Sequence, residues 1–350
     1  MALEGPGPQV LGLSVRERNR RVLLRAGVAA GDRPEAQGET PPPDAIVVPA
    51  TLAITPACVP HVLAAEPGSR LTAAALPNGT AYDVSTPAAR REASRALLLA
   101  TGKPTDGWVA RRLNRPISRV LSRLLLAAGL SPAHATLLSL ATGAAAAAFA
   151  AQPSWGALVA AAAFFQLASV VDGVDGEMAR ATLSESAGGA RLDAAVDIAT
   201  YVACCAAFIA GWVRGGVAPW ERWLAALVAV ALGAALWQAG RFVRRHAPDA
   251  SFVFVDRAVD RAARDRGGWG FRAVRLAFLL MRRDAFAVAF LALAVTGRRA
   301  AFILALGAFA LVALATFRLA RGSLAAAASA LRRERDGRGP QRPGTAPAEL

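Results

Sequence analysis

The sequence has few cysteines and almost no lysine. Its three cysteines are Cys58, Cys204 and Cys205, and none of them stands in a CxxC or histidine-partnered spacing. Such a pattern indicates neither a disulfide scaffold nor a cysteine-based metal site. The 40 basic residues are all arginine except Lys103. The N-terminus lacks a basic stretch followed by an apolar one, so we expect no cleaved signal peptide.

Apolar residues and arginines are abundant instead. Hydrophobic residues make up 55% of the chain and the mean hydropathy is +0.37, which is too apolar for a typical soluble domain. The formal net charge of +15 suits anionic lipid head groups or phosphates. Because the arginines flank apolar runs and are not interleaved with stacking aromatics, we expect no nucleic-acid partner. The composition predicts a membrane protein with polar extensions.

Six apolar runs predict an all-α membrane bundle of about six transmembrane helices, preceded by a small soluble α/β segment. Several runs are shorter than the ~20 residues of a full span. Abundant alanine and glycine permit close helix packing in lipid. We predict the bundle over residues 132–320 and a disordered tail over 321–350. The runs are Ala133–Ala151, Trp155–Val171, Leu192–Trp212, Trp220–Ala239, Ala285–Thr296 and Ala300–Phe317.

The distribution of arginine predicts the orientation of this bundle. The segment Arg241–Arg283 is dense in arginine, whereas Val213–Pro219 holds only Arg214. Cytosolic loops carry the excess of basic residues. Both termini, the aspartate-rich region that begins at Asp172 and the arginine-rich loop are therefore predicted to be cytosolic. We expect an integral protein of a bacterial-type inner or plasma membrane.

Residues 1–105 predict a soluble segment with the order helix, strand, helix. Apolar residues at helical spacing among arginines indicate an amphipathic helix in Leu11–Val28, and a Pro/Gly-rich linker then reaches Pro43. Ala45–Ala50 has the character of a short buried strand. Thr55 followed by proline is typical of a helix start.

Residues 106–131 combine an apolar stripe with arginines at helical spacing, so this segment is too charged to span a membrane. We predict a helix that lies in the membrane interface with its arginines towards lipid phosphates. The alternative is an ordinary solvated helix packed on the N-terminal segment. The arginines are Arg111, Arg112, Arg115, Arg119 and Arg123.

Four aspartates stand at helical spacings between Asp172 and Asp197. Asp172 and Asp175 are three residues apart, and Asp193 and Asp197 are four apart, so each pair shares one face of a helix. Carboxylates beside apolar runs need a compensating positive charge. Oxygen-only ligation suits Mg²⁺ or Mn²⁺. The aspartates therefore predict a site for one of these cations.

Small residues and an arginine extend this pattern. Small side chains leave the backbone open to close approach, and an arginine can form two hydrogen bonds with one anionic group. The full pattern resembles the signature of the CDP-alcohol phosphatidyltransferase family at every defined position. It reads Asp172-x2-Asp175-Gly176-x2-Ala179-Arg180-x8-Gly189-x3-Asp193-x3-Asp197.

The resemblance implies a reaction and a role for each matched residue. The reaction is the transfer of a phospho-alcohol group from a CDP-linked donor to an acceptor hydroxyl, with release of CMP, in phospholipid or phospho-inositol synthesis. Asp197 is implied as the general base. The implied ligands of Mg²⁺ or Mn²⁺ are Asp172, Asp175, Asp193 and Asp197. The implied contacts of the CDP-linked donor are Asp172, Gly176, Ala179, Arg180 and Gly189.

Two further similarities extend the resemblance. The segment from Lys103 to Leu125 is similar to the one that precedes the first membrane helix in the inositol-phosphate-transferring branch of the family. The first membrane helix in the family often starts with Pro-Asn-x-x-Thr. Here Ala133 stands in place of the asparagine, and Thr136 remains a candidate contact of the CDP-linked donor.

The N-terminal segment looks like a fragment of the nucleotidyltransferase domain that some family members carry. The likeness lies in GLSVRERNRRVLLRAGV followed by DAIVVPA. No glycine-rich phosphate loop with a trailing lysine precedes Leu11, and no acidic metal pair stands between Ile46 and Tyr82. We therefore predict a degenerate, non-catalytic domain over residues 1–105.

Arginine clusters near the ends of the fourth and fifth apolar runs predict an acceptor that bears a phosphate, such as inositol phosphate or glycerol phosphate. The alternative is that these arginines reflect only the bias of basic residues towards the cytosol. The candidate acceptor contacts are Arg241, Arg244, Arg282 and Arg283.

Two other functions are left open by the sequence. One is a catalytically inert scaffold or lipid-binding protein with the same fold, and the other is a metal transporter. The intact set of aspartates disfavours the first, and their position at one side of the bundle disfavours the second. The expected partners are the CDP-linked donor, the hydroxyl acceptor and membrane lipids, and a homodimer is compatible with the pattern.

Overall fold

The computed structural model describes residues 1–4, 7–28, 45–103, 106–246, 253–280, 282–319 and 321–335. The helices in these ranges are α1 (Val15–Arg25), α2 (Val59–Leu63), α3 (Pro87–Leu99), α4 (Arg115–Ala127), α5 (Pro132–Ala150), α6 (Trp155–Ala181), α7 (Ala187–Arg214), α8 (Pro219–His246), α9 (Val253–Arg266), α10 (Trp269–Leu280), α11 (Arg283–Val295), α12 (Arg299–Leu319) and α13 (Arg321–Arg335). The strands are β1 (Ala2–Leu3), β2 (Gln9–Val10), β3 (Leu13–Ser14), β4 (Val47–Val48), β5 (Leu52–Ile54) and β6 (Ala81–Asp83).

The predicted fold class, an all-α membrane bundle with a small α/β segment, is confirmed. In the described part of the chain, five helices are long and apolar enough to cross a membrane, namely α5, α6, α7, α8 and α12. They correspond to five of the six predicted runs. The remaining run, Ala285–Thr296, forms α11, whose 13 residues are fewer than the ~20 needed for a full span.

The chain divides into two compact units. The first comprises Met1–Leu140 and Val170–Val196, and the second comprises Ala141–Ser169 and Asp197–Leu350. The N-terminal segment therefore belongs to the same unit as the part of the signature that precedes Asp197.

The N-terminal part of the first unit contains the elements predicted from its sequence. Strands β1 and β4 pair in parallel, whereas β2 with β3 and β5 with β6 form antiparallel pairs. Helix α1 begins after Ser14, whose hydroxyl accepts a hydrogen bond from the Glu17 amide at 3.3 Å and so caps the helix. The predicted strand and second helix correspond to β4 and α2. Most of the predicted linker up to Pro43 lies outside the described residues.

Helix α1 holds the C-terminal end of α6. Nη1 of Arg18 donates a hydrogen bond to the carbonyl of Ala181 at 2.6 Å, and Nη1 of Arg21 donates to that of Thr182 at 2.8 Å. These guanidinium groups donate to carbonyls at the C-terminal end of α6, where the helix itself provides no backbone N–H donor. Burial lowers the pKa of Arg18 to about 10, although the charge of Tyr82 acts in the opposite direction.

The second unit is held together by close helix contacts and an aromatic core. A Cβ atom at Gly211 of α7 would lie 2.2 Å from the Ala150 carbonyl oxygen of α5, so only glycine fits there. Phe302 of α12 packs against Phe208 of α7 and Phe290 of α11, with ring centroids 4.6 Å apart in both pairs. The unit thus combines a close backbone approach at Gly211 with aromatic packing between α7, α11 and α12.

Besides the N-terminal segment, where α3 was not predicted, two segments contain helices that we did not predict from the sequence. The arginine-rich loop includes α9 and α10. Helix α13 replaces the first part of the tail that we expected to be disordered, and residues 336–350 of that tail lie outside the described residues. Val255 and Val259 of α9 form one buried cluster with Leu324 and Ala327 of α13. This apolar cluster gives both helices a tertiary partner that the sequence does not reveal.

The helix predicted for the membrane interface has two different faces. Helix α4 follows a π-helical turn at Ala110–Asn114 and buries a polar face that includes Arg115, which is 8% exposed. Arg115 therefore does not point towards lipid phosphates as predicted, because it forms buried ion pairs. The opposite face exposes large apolar side chains, as expected for a helix at a membrane surface. These side chains are Ile117, Val120 and Leu124.

Candidate active site

The aspartates of the signature lie on α6 and α7. Asp172 and Asp175 stand near the C-terminal end of α6, and Asp193 and Asp197 stand near the N-terminal end of α7. Within the first unit, one carboxylate oxygen of Asp172 and one of Asp193 lie within 4.8 Å of each other. Two carboxylates this close repel each other unless a cation neutralises them. Asp197 follows Asp193 by one helical turn.

The available ligand atoms fit a hard divalent cation. Asp172 and Asp193 offer carboxylate oxygens that lie close together, whereas Asp175 is not part of this close group. Oxygen ligands of this kind suit Mg²⁺ or Mn²⁺.

Asp175 is buried and held in one orientation. It is 6% exposed, and its carboxylate accepts hydrogen bonds from the Thr136 hydroxyl at 2.7 Å and from the Gly176 amide. Thr136 was predicted as a contact of the CDP-linked donor. The structure places it one turn after the start of α5, against Asp175, so its hydroxyl fixes a predicted metal ligand.

Arg180 lies over the small residue that precedes it by one helical turn. A Cβ atom at Gly176 would lie 2.9 Å from Nη1 of Arg180, so a larger residue would displace the guanidinium group. Nε of Arg180 donates a hydrogen bond to the carbonyl of Thr101 at 2.8 Å. Ala179 is partly buried on the same helix, and Gly189 is exposed in the first turn of α7.

A buried polar network lies beside the signature, and the sequence reasoning did not find it. Glu177 of α6 is 0% exposed, and its carboxylate accepts hydrogen bonds from Nη1 of Arg115 at 2.8 Å, from Ser118 at 2.7 Å and from Ser122 at 2.8 Å. Nε and Nη2 of Arg115 donate to Asp106, both at 2.9 Å. The spacing of Arg115, Ser118 and Ser122 places them on one face of α4, but it does not identify their partner on α6.

The charges in this network stabilise each other. Burial alone would raise the pKa of Asp106, but hydrogen bonds and charge from Arg115 lower it below its ordinary value. Burial would likewise lower the pKa of Arg115, but Asp106 and Glu177 raise it above its ordinary value. Both groups therefore stay ionised.

In the second unit, the predicted general base meets a predicted acceptor contact. Asp197 of α7 forms an ion pair with Arg283, the first residue of α11. The side chains of this pair are 36% and 15% exposed, so the pair is only partly shielded from solvent. An arginine suited to a phosphate thus stands beside the carboxylate suited to a hydroxyl proton.

The other arginines predicted to bind the acceptor make different contacts. Arg282 lies 3.8 Å from Asp284 at the start of α11. Arg241 lies over the ring of Trp237, with its guanidinium carbon 5.5 Å from the ring centroid. Arg244 is exposed in the last turn of α8. The geometry alone gives these three residues no shared binding site.

Comparison with known proteins agrees with the signature. Residues 130–258 match the family model of CDP-alcohol phosphatidyltransferase. The match includes the aspartate pattern, and the predicted resemblance to this family is confirmed.

Curated relatives show which members of the family the chain is similar to. A "Bifunctional IPC transferase and DIPP synthase" of Archaeoglobus fulgidus is 37% identical over 116 residues, which cover 33% of this chain and 23% of the relative. A protein of the same name from Rubrobacter xylanophilus is 38% identical over 130 residues, which cover 37% of this chain and 29% of the relative. The chain thus spans less than a third of the length of these relatives.

Proposed function

We propose that the chain transfers a phospho-alcohol group from a CDP-linked donor to an acceptor hydroxyl, releases CMP, and requires Mg²⁺ or Mn²⁺. The observation that carries the proposal is the close approach of the Asp172 and Asp193 carboxylates in a segment that matches this family. The cation would be held by Asp172, Asp175, Asp193 and Asp197. Bound there, it would neutralise charge on the pyrophosphate and on the departing CMP.

The chain's own residues bind the donor and move one proton. Arg180 binds a donor phosphate, while Gly176, Ala179 and Gly189 leave room for the nucleotide. The carboxylate of Asp197 takes the proton of the acceptor hydroxyl as that oxygen attacks the phosphorus that carries the alcohol group. The new phosphorus–oxygen bond forms, the bond from this phosphorus to the bridging oxygen breaks, and CMP leaves with that oxygen.

The proposed acceptor carries a phosphate. Arg283 beside Asp197 supports this choice, because one acceptor can place its phosphate at the guanidinium and its hydroxyl at the carboxylate. The names of the relatives belong to the inositol-phosphate branch, which supports inositol phosphate as the first acceptor to test. We further propose that Arg241, Arg244 and Arg282 assist in binding this phosphate.

The proposed location is an integral membrane protein with its active site and both termini on the cytosolic side, which requires α11 to complete a sixth crossing in addition to the five long helices. The density of arginine in Arg241–Arg283 supports this orientation. CDP-linked donors would be available on that side. Membrane lipids surround the apolar helices, and a homodimer is compatible with their exposed faces.

The direct test follows CMP release by the purified full chain. Labelled CDP-diacylglycerol or CDP-inositol is supplied with a panel of hydroxyl acceptors that includes inositol phosphate and glycerol phosphate. We expect CMP release with one donor and acceptor pair, its loss in excess EDTA, and its return with added Mg²⁺ or Mn²⁺. Undiminished CMP release in excess EDTA contradicts the proposed requirement for a cation. An absence of CMP release with every donor and acceptor pair favours the alternative of a catalytically inert scaffold.

A further inference from the structure

Glu177 lies on the face of α6 opposite the proposed metal ligands. With 100° per residue, Glu177 is rotated by about 200° from Asp175 and by about 140° from Asp172 around the helix axis. Its three hydrogen-bond donors, Arg115, Ser118 and Ser122, all belong to α4. The network therefore attaches the back of the signature helix to α4.

Gly173 continues this attachment one turn before Glu177. Nη1 of Arg115 donates a hydrogen bond to the carbonyl of Gly173 at 3.3 Å. A Cβ atom at Gly173 would lie 2.8 Å from the same nitrogen, so a larger residue would push Arg115 away. Gly173 and Glu177 occupy positions that the signature leaves undefined. The signature therefore does not specify which residues this face of α6 carries.

We infer that Glu177, Arg115, Ser118 and Ser122 form a positioning network that sets the rotation of α6 on α4 and so holds Asp172 and Asp175 in place for the cation. The inference rests on the proposed function. A rotation of α6 by about 20° would move each Cα atom by about 0.8 Å. Metal–ligand distances tolerate only about 0.2 Å. A small loss of register would therefore weaken the site.

A merely structural network would behave differently. It would contribute to stability, and its loss would lower the unfolding midpoint without changing the site in molecules that remain folded. A positioning network changes cation affinity in folded protein. Direct binding of Mn²⁺ in the absence of substrates separates these roles, because it requires neither donor nor turnover.

The experiment compares Glu177→Gln with the wild type and with Glu185→Gln, all as purified full chains in detergent. The control makes the same chemical change at an exposed ion pair between Arg25 and Glu185 in the same unit. Free Mn²⁺ is measured by electron paramagnetic resonance, and folding is followed by thermal unfolding. We expect Mn²⁺ binding about 10-fold weaker in Glu177→Gln and unchanged in the control, since supporting residues of metal sites have effects of this size.

The possible outcomes decide the inference separately from the proposed function. Equal Mn²⁺ affinity in folded Glu177→Gln and wild type overturns the positioning role and leaves the proposed function intact. A wild type that binds no Mn²⁺ overturns the cation site and the inference with it. If Glu177→Gln does not fold, the same measurement is made on the double variant Ser118→Ala/Ser122→Ala, which keeps the ion pair between Arg115 and Glu177. We expect weaker Mn²⁺ binding in this variant also, and unchanged binding overturns the positioning role.

Discussion

Carboxylates in the first unit belong to two chemically different classes. Asp172 and Asp193 are partly exposed and approach each other within 4.8 Å. Glu177 is fully buried and accepts three hydrogen bonds from charged and neutral donors. Neutralising Asp172 or Asp193 relieves the repulsion between their carboxylates. Neutralising Glu177 instead weakens a buried ion pair of Arg115. The same substitution therefore separates a ligand from a supporting residue.

The first prediction concerns the two approaching aspartates. Asp172→Asn and Asp193→Asn should each reduce CMP release by about 100-fold or more, because a neutral amide is a weaker ligand for a hard cation than a carboxylate. Both variants should remain folded in metal-free detergent, because neutralising one of two approaching carboxylates relieves their repulsion. Activity is measured as CMP release, and stability by thermal unfolding.

Asp265→Asn is the matched control for this prediction. Asp265 is exposed and forms an ion pair with Arg261 one turn away on α9. Its neutralisation should leave CMP release unchanged. Near-normal turnover in either signature variant would show that the ligand assignment is wrong.

The contact between α1 and α6 connects a polar N-terminal helix to the end of the signature helix. Arg18 is 3% exposed and its hydrogen bond ends at the carbonyl of Ala181. Arg20 on the same helix is more exposed and pairs with Glu17. These two arginines therefore test whether α1 stabilises α6 by a specific buried contact.

The second prediction compares Arg18→Met with Arg20→Met. Methionine keeps most of the apolar stem but removes the donor, so Arg18→Met should lower the free energy of unfolding by about 1–3 kcal/mol. Arg20→Met removes a partly exposed ion pair and should cost less than about 1 kcal/mol. Denaturant unfolding in detergent measures both values. Equal costs would mean that the contact with Ala181 contributes nothing specific.

The membrane helices and the aspartate pairs were predictable because their signals are local. Long apolar runs indicate spans, and spacings of three and four residues indicate a shared helix face. Helices α9 and α13 were not predictable from local pattern, because their apolar faces are buried only by packing against each other. Val255 and Leu324, which lie far apart in the sequence, belong to one buried cluster. The same holds for Glu177, whose partner Arg115 stands 62 positions earlier in the chain.

The N-terminal segment shares a buried core with the signature helix. Val10 and Leu11 belong to one apolar cluster with Leu126 of α4 and with Val174 and Met178 of α6. Truncation of residues up to Gly102 would expose this side of α6 to solvent. We therefore expect lower stability from the truncation, and a test of whether the segment has its own activity is better made with the full chain.

The last prediction is that the full chain makes no CDP-linked donor of its own. A working cytidylyltransferase needs backbone N–H groups around the triphosphate, a cation to neutralise it and carboxylates for its own metal. Between Met1 and Gly102 the glycines are scattered among prolines, and no lysine occurs. Arg18 and Arg21, two of the arginines that could replace it, donate to carbonyls of the first unit. These two guanidinium groups thus form structural contacts, and the sequence of the segment contains no glycine-rich phosphate loop.

This prediction is tested in two reactions on one preparation. With a ready-made CDP-linked donor and an acceptor, the full chain should release CMP. With CTP and an alcohol phosphate, it should release no pyrophosphate above a protein-free blank. Asp172→Asn serves as the control, because it should lose the first reaction while its N-terminal segment stays intact. Pyrophosphate release that persists in Asp172→Asn would contradict the prediction. Because this variant lacks transfer activity, the release would come from a second active site in the N-terminal segment, and the protein would be bifunctional.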